Sequence, residues 1–431
     1  MIKAIRGMHD LLPEDDDLWQ WIEAAARRIF AAYGYGGIRP PLIESTALFT
    51  QAIGEATDVV EKEMYTFADR RDHLLSLRPE GTAGVVRAVI EHGLLQQLPL
   101  RLWYCGPMFR YERPQLGRTR QFHQIGAEVF GAAGVDSERE LLLICHRLWQ
   151  ALGVAGKIRL LLNNLGDDEE RRRYREALHG WLVAHRERLD PDSRRRVDRN
   201  PLRVLDSKVA ETRELLAAAP RLEAFLGRAS RDHLATLGAA LDEAGIAWQY
   251  EPGLVRGLDY YNRTVFEWVT DELGAQGTVC GGGRYDGLCA RHGGPDVPGV
   301  GFALGLERLA GLVGRAADAR WRTAPEVYLV MAGEAAEQAG WRLAEALRDA
   351  LPGLRLQMNL GGGSFKAQFK RADRSGARWA LILGADEVRD GTIGLKDLRG
   401  DQRQATLRRD QVVQALAERV TATGGNEIPA V

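Results

Sequence analysis

RLWYCGPMFRYERPQLGRTRQFHQIGAEVF, residues 101–130, is the stretch on which the fold turns. Its flanks, 101–111 and 122–130, are rich in residues that settle on a pleated, half-buried surface. Between them ERPQLGRTRQ (112–121) is polar and carries Pro114 and Gly117, which mark a hairpin loop. Strands joined by such a loop pair antiparallel. They also carry Arg110, Gln124 and Glu128, and buried strands do not hold glutamates without a partner.

Outward from the hairpin, helices alternate with further strands. DLWQWIEAAARRIFAAY (17–33) places Leu18, Ile22, Ala25, Ile29 and Tyr33 on one helical face, with Asp15, Asp16 and Asp17 at its positive end. Gly34, Gly36 and Gly37 stop it. IRPPLIE (38–44) reads as a strand interrupted by Pro40 and Pro41, hence an edge or interface strand. Residues 81–98 and 137–152 read as helices. From about 165 to 245 charge dominates, in DDEE (167–170), RRRYR (171–175) and RRR (194–196), while stripes such as Leu178, Leu182 and Val183 persist. This predicts a small helical insertion, its charge either a solvated surface or a face toward RNA. Strand and glycine texture returns from 248 to 313. After Pro325, EVYLVMAG, a helix (335–350), LRLQMNL, a helix (364–375), ARWALILG and TIGLKDL predict a separate α/β domain of about 100 residues.

Composition bounds the function. A chain of 431 residues exceeds a single core. Its 45% hydrophobic and 27% charged residues are ordinary for a soluble protein. Nothing reaches the roughly 18 apolar residues of a membrane span, and MIKAIRGMHDLLPEDDD has no apolar signal core, so no membrane and a cytoplasmic location are expected. Cys105, Cys145, Cys280 and Cys289 form no CxxC pair, and no HExxH occurs, so the residues offer no metal cage and the cysteines read as buried free thiols. The net charge of −1 gives no global basic signature. Only seven of the 58 basic residues are lysine, as GC-rich codon usage would produce.

The 48 glycines invite a phosphate loop, and the sequence refuses one. GxxxxGK[ST] is absent. GVGFALG (299–305) nearly matches GxGxxG, but Leu304 replaces the third glycine and no βαβ unit precedes it. Nucleotide phosphates would then need guanidinium groups, which are always charged and grip through paired donors. Arg110, Arg256 and Arg308 are the candidates by their settings, with Glu80, Gln124 and Glu128 in similarly polar company. LVRGLDYYNRTVFEW (254–268) joins a strand-like half to a half crowded with Arg256, Asp259, Tyr260, Tyr261, Asn262 and Arg263.

Taken in order, these segments resemble bacterial histidyl-tRNA synthetases, class II aminoacyl-tRNA synthetases, over essentially the whole chain. RGMHDLLPED (6–15) resembles the N-terminal signature, and GYGGIRPPLIE (34–44) motif 1 with Pro41 in the motif proline's place. SLRPEGTAGVVRA (76–88) resembles the amino-acid-binding segment, and FRYERPQLGRTRQFHQIGAEVFG (109–131) motif 2. GLVRGLDYYNRTVFEW (253–268) and GGGRYDGL (281–288) resemble the two histidine motifs, and GVGFALGLERL (299–309) motif 3.

The resemblance implies an α+β class: an antiparallel sheet flanked by helices in a catalytic domain spanning 1–320, with an insertion at about 165–245 and an anticodon-binding α/β domain at 325–431. It implies a homodimer built partly through motif 1. Histidine and ATP would give histidyl-adenylate and pyrophosphate, and the 3′ end of tRNA(His) would take the histidyl group. Since an ionised carboxylate attacks a phosphate, charge cancellation and alignment matter more than a general base. Mg²⁺ would bind mainly through ATP phosphates, and no protein metal site is implied. By position in the motifs, Arg110 would hold the α-phosphate, Arg308 the γ-phosphate, and Arg256 would sit between carboxylate and α-phosphate. Phe122 would stack on adenine and Glu112 accept from its amino group. Glu80, Thr82 and Gln124 would take the ammonium of histidine, Glu128 and Tyr261 its imidazole, and Tyr260 and Tyr285 would wall the pocket. Gln115 and Arg120 would meet the acceptor end of tRNA. Lys366, Lys370 and Arg371 would either face anticodon phosphates or form a solvated helix face. The alternatives are a non-catalytic synthetase-like regulatory subunit of histidine biosynthesis and a related synthetase for another amino acid.

Overall fold

The hairpin forms as its sequence predicts. Strand Leu100–Phe109 pairs antiparallel with Gln121–Phe130, from Leu100 opposite Phe130 to Phe109 opposite Gln121. The computed structural model describes residues 2–55, 57–115, 117–207, 209–274, 277–316, 321 and 324–421. The chain separates into two compact units, cut between residues 318 and 319.

In the first unit the hairpin lies within an eight-stranded sheet. Its order is Gly36–Gly37, Leu100–Phe109, Gln121–Phe130, Gly299–Gly305, Thr278–Arg284, Asn262–Val269, Arg159–Asn164, Trp248–Tyr250. The centre is antiparallel, as expected; the outermost pair at each edge is parallel. Helix Pro13–Ala32 opens on a proline with Glu14, Asp15 and Asp16 in its first turn, where charge and fixed φ both favour initiation. It buries Leu18, Ile22, Ala25 and Ile29. Its Phe30 stacks on Trp103 at 5.1 Å and on Phe302 at 6.4 Å, so it covers one face of the sheet.

The strand expected over 38–44 is not continuous. Gly36–Gly37 joins the large sheet, and Ile43–Ser45 joins a three-stranded sheet with Leu74–Leu77 and Thr66–Ala68. Pro40 and Pro41 fall between the two, where no ladder asks for an N–H. The helix expected over 81–98 ends at Glu91, followed by Gly93 at φ 65 and one turn at Leu94–Gln96. Three cysteines are buried, but Cys105 is half-exposed.

The insertion is helical. Asp168–Ala184, Pro191–Arg196, Ala210–Leu216 and Arg228–Glu243 lie between the parallel edge strands, with short 3₁₀-helices among them. The first begins on a capping box of Asp167 and Glu170. Tyr174, Leu178, Leu182, Val197, Val204 and Leu215 form its own core. Val183, read with the apolar stripe, is instead exposed.

The second unit is a five-stranded sheet ordered Leu356–Met358, Val327–Met331, Trp379–Leu383, Thr392–Asp397, Ala405–Arg408. The first three are mutually parallel, and the last two turn antiparallel. Val327–Met331 and Trp379–Leu383 are buried at every residue, the continuous apolar run expected of strands covered on both faces. The end of the domain expected at 325–431, residues 422–431, lies outside the described residues.

Candidate active site

Sheet register builds the site. Side chains alternate along a strand, so Phe122, Gln124, Gly126 and Glu128 share one face. Residues opposite one another extend that face across the sheet. Glu128 lies opposite Gly301, and Gly301 opposite Gly283. Gly126 lies opposite Ala303, Ala303 opposite Gly281, and Gly281 opposite Glu267. This is the face away from Phe302 and the Pro13–Ala32 helix. A floor of glycine and alanine therefore leaves open space at the middle of the sheet. The space is used by neighbouring side chains: a Cβ at Gly281 would meet the Arg256 guanidinium at 2.5 Å, and one at Gly301 would overlap the Glu128 carboxylate.

Above this floor is a cavity of ≈ 320 Å³, lined among others by Arg110, Glu112, Phe122, Gln124, Arg256 and Arg308. The structure thus brings all the residues expected at the nucleotide into one place. Arg110 donates from Nε to the Pro79 carbonyl at 2.9 Å, and its guanidinium lies 5.3 Å from the Phe122 ring centre. Arg308 stands in the first turn of helix Leu306–Ala316. It donates to the carbonyls of Gly117 at 3.1 Å and Thr278 at 2.6 Å. Burial holds its pKa below the usual arginine value, and Arg118 and Arg110 add like charge. Arg256 is paired with Glu267. Burial would lower its pKa, but Glu267 and Tyr261 outweigh burial and raise it.

The cavity carboxylates are already engaged. Glu112 pairs with Arg118 at 3.0 Å, Glu267 with Arg256, and Glu307 accepts from the His123 N–H at 2.9 Å.

Next to Gln124 and Arg256 the surroundings close. Glu128 is fully buried, and hydroxyls meet both its oxygens. Thr82 donates to Oε1 at 2.8 Å, with Tyr104 at 3.4 Å, and Tyr285 donates to Oε2 at 2.5 Å. Burial lifts its pKa to about 8 against these hydrogen bonds. Glu80 is also buried, and its carboxylate accepts from the Thr82 and Ala83 N–H groups at 2.7 and 2.8 Å. Burial raises its pKa too. Tyr260 lies 4.6 Å from Tyr261 and 5.8 Å from Tyr285, ring centre to ring centre. Gln124 Oε1 is buried with no hydrogen-bond partner among the described residues. A buried amide oxygen without a donor is costly unless a ligand supplies one.

The residues expected at tRNA lie elsewhere. Gln115 is exposed at the tip of the hairpin loop, bridged to Arg118. Arg120 is nearer its base, with its guanidinium 3.7 Å from the Tyr111 ring centre. In the second unit Lys366, Lys370 and Arg371 are exposed on helix Phe365–Arg374. Arg371 also braces the preceding glycine loop, donating to Asn359 Oδ1 at 2.7 Å and the Gly362 carbonyl at 2.9 Å.

Sequence reasoning passed over Tyr104, Arg118, Glu267 and Glu307. Tyr104 and Glu267 could be found only by knowing the register that sets them beside Gly126 and Gly281. A second cluster also went unread: Arg284 is fully buried and pairs with Glu138 at 2.5 Å. Burial opposes the charged Glu138, yet His233 and Arg284 pull its pKa down to about 2.

The family model for histidyl-tRNA synthetase matches residues 7–309, and that for the anticodon binding domain matches residues 326–419. Among solved structures, apo S. aureus histidyl-tRNA synthetase is 34% identical with TM-score 0.80, over 96% of this chain and 99% of that one. Histidyl-tRNA synthetase from Nostoc sp. is 20% identical with TM-score 0.70, over 97% and 100%. A Bacillus halodurans protein titled ATP phosphoribosyltransferase regulatory subunit/histidyl-tRNA synthetase is 20% identical with TM-score 0.63, over 89% and 99%, a likeness of fold alone.

Proposed function

Because the chain belongs to the histidyl-tRNA synthetase family, we propose that the sheet-borne cavity is where it joins histidine to ATP, and that its two ends divide the work. The chain is a histidine–tRNA ligase: it makes histidyl-adenylate and pyrophosphate, then transfers histidine to tRNA(His). The regulatory-subunit alternative is not favoured, since the anticodon-binding domain is present.

Glu128, Tyr261 and Tyr285 take the imidazole, with Tyr260 as a wall. Glu80, Thr82 and Gln124 take the ammonium. Arg256 takes the carboxylate and the α-phosphate together, keeping two negative groups in line for attack. Arg110 steadies the α-phosphate and Arg308 the γ-phosphate, while Phe122 stacks on adenine and Glu112 accepts from its amino group. Mg²⁺ supplies further charge neutralisation and is held mainly through ATP phosphates, in keeping with carboxylates that already face arginines or N–H donors. The observation that supports this reading is the orphan Gln124 oxygen in a cavity wall that also carries Arg110, Arg118, Arg256 and Arg308.

The motif 2 loop meets the acceptor end through Gln115 and Arg120, and Lys366, Lys370 and Arg371 face the anticodon arm. The protein works as a cytoplasmic homodimer. The small sheet supports the dimer, since the face that carries Ile43 and Phe67 leaves them 45% and 42% exposed, an apolar surface that a second copy would cover. Among the described residues no helix is long and apolar enough to cross a membrane. Charging tests the reading: with histidine, ATP and Mg²⁺ the protein should load tRNA(His) and no other tRNA. Loading of a second tRNA would overturn it.

A further inference from the structure

The segment that carries Arg256 and Tyr261 has little structure of its own. Residues 254–261 form neither strand nor helix. Leu254 N–H reaches the Glu251 carbonyl at 2.9 Å, and Asp259 N–H reaches the Ile53 carbonyl at 3.1 Å. Two further holds come from the insertion. Arg203 donates from Nη2 to the carbonyl of Gly257. Asn200 donates from Nδ2 to Asp259 Oδ2 at 3.4 Å. These grips fall one residue after Arg256 and two residues before Tyr261. Both donors stand on a stiff base. Pro201 opens a two-turn 3₁₀-helix, Pro201–Asp206, and the Arg203 N–H bonds the Asn200 carbonyl at 3.0 Å.

Behind the segment the packing is incomplete. A cavity of ≈ 50 Å³ lies between Leu202 and Leu222 of the insertion and Val255, Leu258 and Tyr261. On that side the segment has room to shift, and the grips from the insertion add to the holds at its ends, where Asn163 donates to the Leu254 carbonyl at 2.9 Å and Arg291 to the Tyr260 carbonyl at 3.4 Å, and to the Arg256–Glu267 pair. A charged donor on a carbonyl is stronger than a neutral one, so Arg203 is the stronger of the two grips from the insertion.

We propose that Arg203 is a positioning residue for histidine activation: by holding the Gly257 carbonyl it sets Arg256 and Tyr261 against the substrate, and so makes the helical insertion part of the adenylation site. This rests on the function proposed above. A small displacement of Arg256 weakens an alignment that depends on sub-ångström placement.

Histidine-dependent exchange of pyrophosphate into ATP tests it in the full-length protein. Arg203→Ala should lower kcat/KM for histidine about tenfold, with KM for ATP changed by less than about twofold. Arg203→Lys, which keeps one charged donor, should recover most of the loss. Arg199→Ala, an exposed change on the same insertion, should leave the exchange unaltered. Unchanged histidine kinetics in folded Arg203→Ala would overturn the proposal. So would a loss that lysine does not rescue, since that indicates only a damaged fold. If Arg203→Ala does not fold, Asn200→Ala reads the second grip, with a rise of about threefold in KM for histidine expected and no rise contradicting it. Wild-type exchange reports on the function itself; the ratio of variant to wild type reports on the grip.

Discussion

Where histidine is proposed to sit, Glu128 is wholly buried and meets three hydroxyls. At the end proposed for the nucleotide, burial lowers the Arg308 pKa, Arg118 and Arg110 lower it further, and Glu112 and Glu267 oppose them. The first is a desolvated set of hydroxyl and carboxyl groups; the second gathers guanidinium charge that an anion would offset. The difference matches two tasks. Selecting one side chain needs neutral, directional, desolvated hydrogen bonds, whose loss penalises every wrong amino acid. Driving a carboxylate onto a phosphate needs fixed positive charge where negative charge gathers. Arg256 stands between, and its partner Glu267 keeps the guanidinium placed.

The largest expected effect comes from that shared residue. Arg256→Ala should keep a folded protein that binds histidine, while histidine-dependent pyrophosphate exchange falls on the order of 10²–10³-fold. Near-normal exchange would break the division between the ends.

A stability effect should follow from the buried pair behind the site. Arg284→Ala leaves Glu138 buried with only part of its compensation, so unfolding free energy should fall by about 3–5 kcal/mol. Denaturant titration at neutral pH would read it, and a loss below about 1 kcal/mol would contradict the packing account.

The histidine end should reveal itself by pH. Burial pushes the Glu128 carboxyl up to about 8, which favours its protonated form at neutral pH. If the bound imidazole and Glu128 share that proton, affinity is flat between the free imidazole pKa of roughly 6.5 and about 8. Above 8 binding must take up a proton and should weaken by about tenfold per unit. Below 6.5 it must release one and should also weaken. Calorimetric titration across pH checks the shape, and Glu128→Gln should abolish the upper limb. A raised carboxyl pKa also bears on stability. The buried proton costs nothing below the unfolded glutamate pKa, and the penalty grows as pH rises toward 8, so the unliganded protein should lose stability in that window.

The smallest expected effect lies in the second unit. Lys366→Ala and Lys370→Ala should each weaken tRNA(His) binding a few-fold and flatten its salt dependence, with pyrophosphate exchange untouched. A loss insensitive to salt would place them away from phosphate.

Much of this was legible before any coordinates. Hairpin 101–130 and the helices ending near 32 and 151 follow from local periodicity and turn residues, which need no knowledge of distant neighbours. The spacing of Gln124 and Glu128 puts both on one strand face. What stayed illegible depends on register. Gly301 falls in a rejected near-match to a phosphate loop and Gly281 in a segment likened to a histidine motif, but both leave room for other side chains, Glu128 and Arg256. Those roles exist only once the strands are aligned, for Gly301 and Glu128 across more than a hundred residues of chain. The same holds for Glu267 facing Gly281, and for Arg203 reaching Gly257 from the insertion. The prolines at 40 and 41 misled in the other direction. They suggested an interrupted strand, whereas the chain uses them to pass from one sheet to another.

The most direct test is histidine-dependent exchange of pyrophosphate into ATP, run against all twenty amino acids without tRNA. Exchange with histidine alone is predicted, because the buried hydroxyl and carboxyl groups of the closed end reject every other side chain. Exchange with several amino acids, or none from a folded protein that binds ATP, would contradict it.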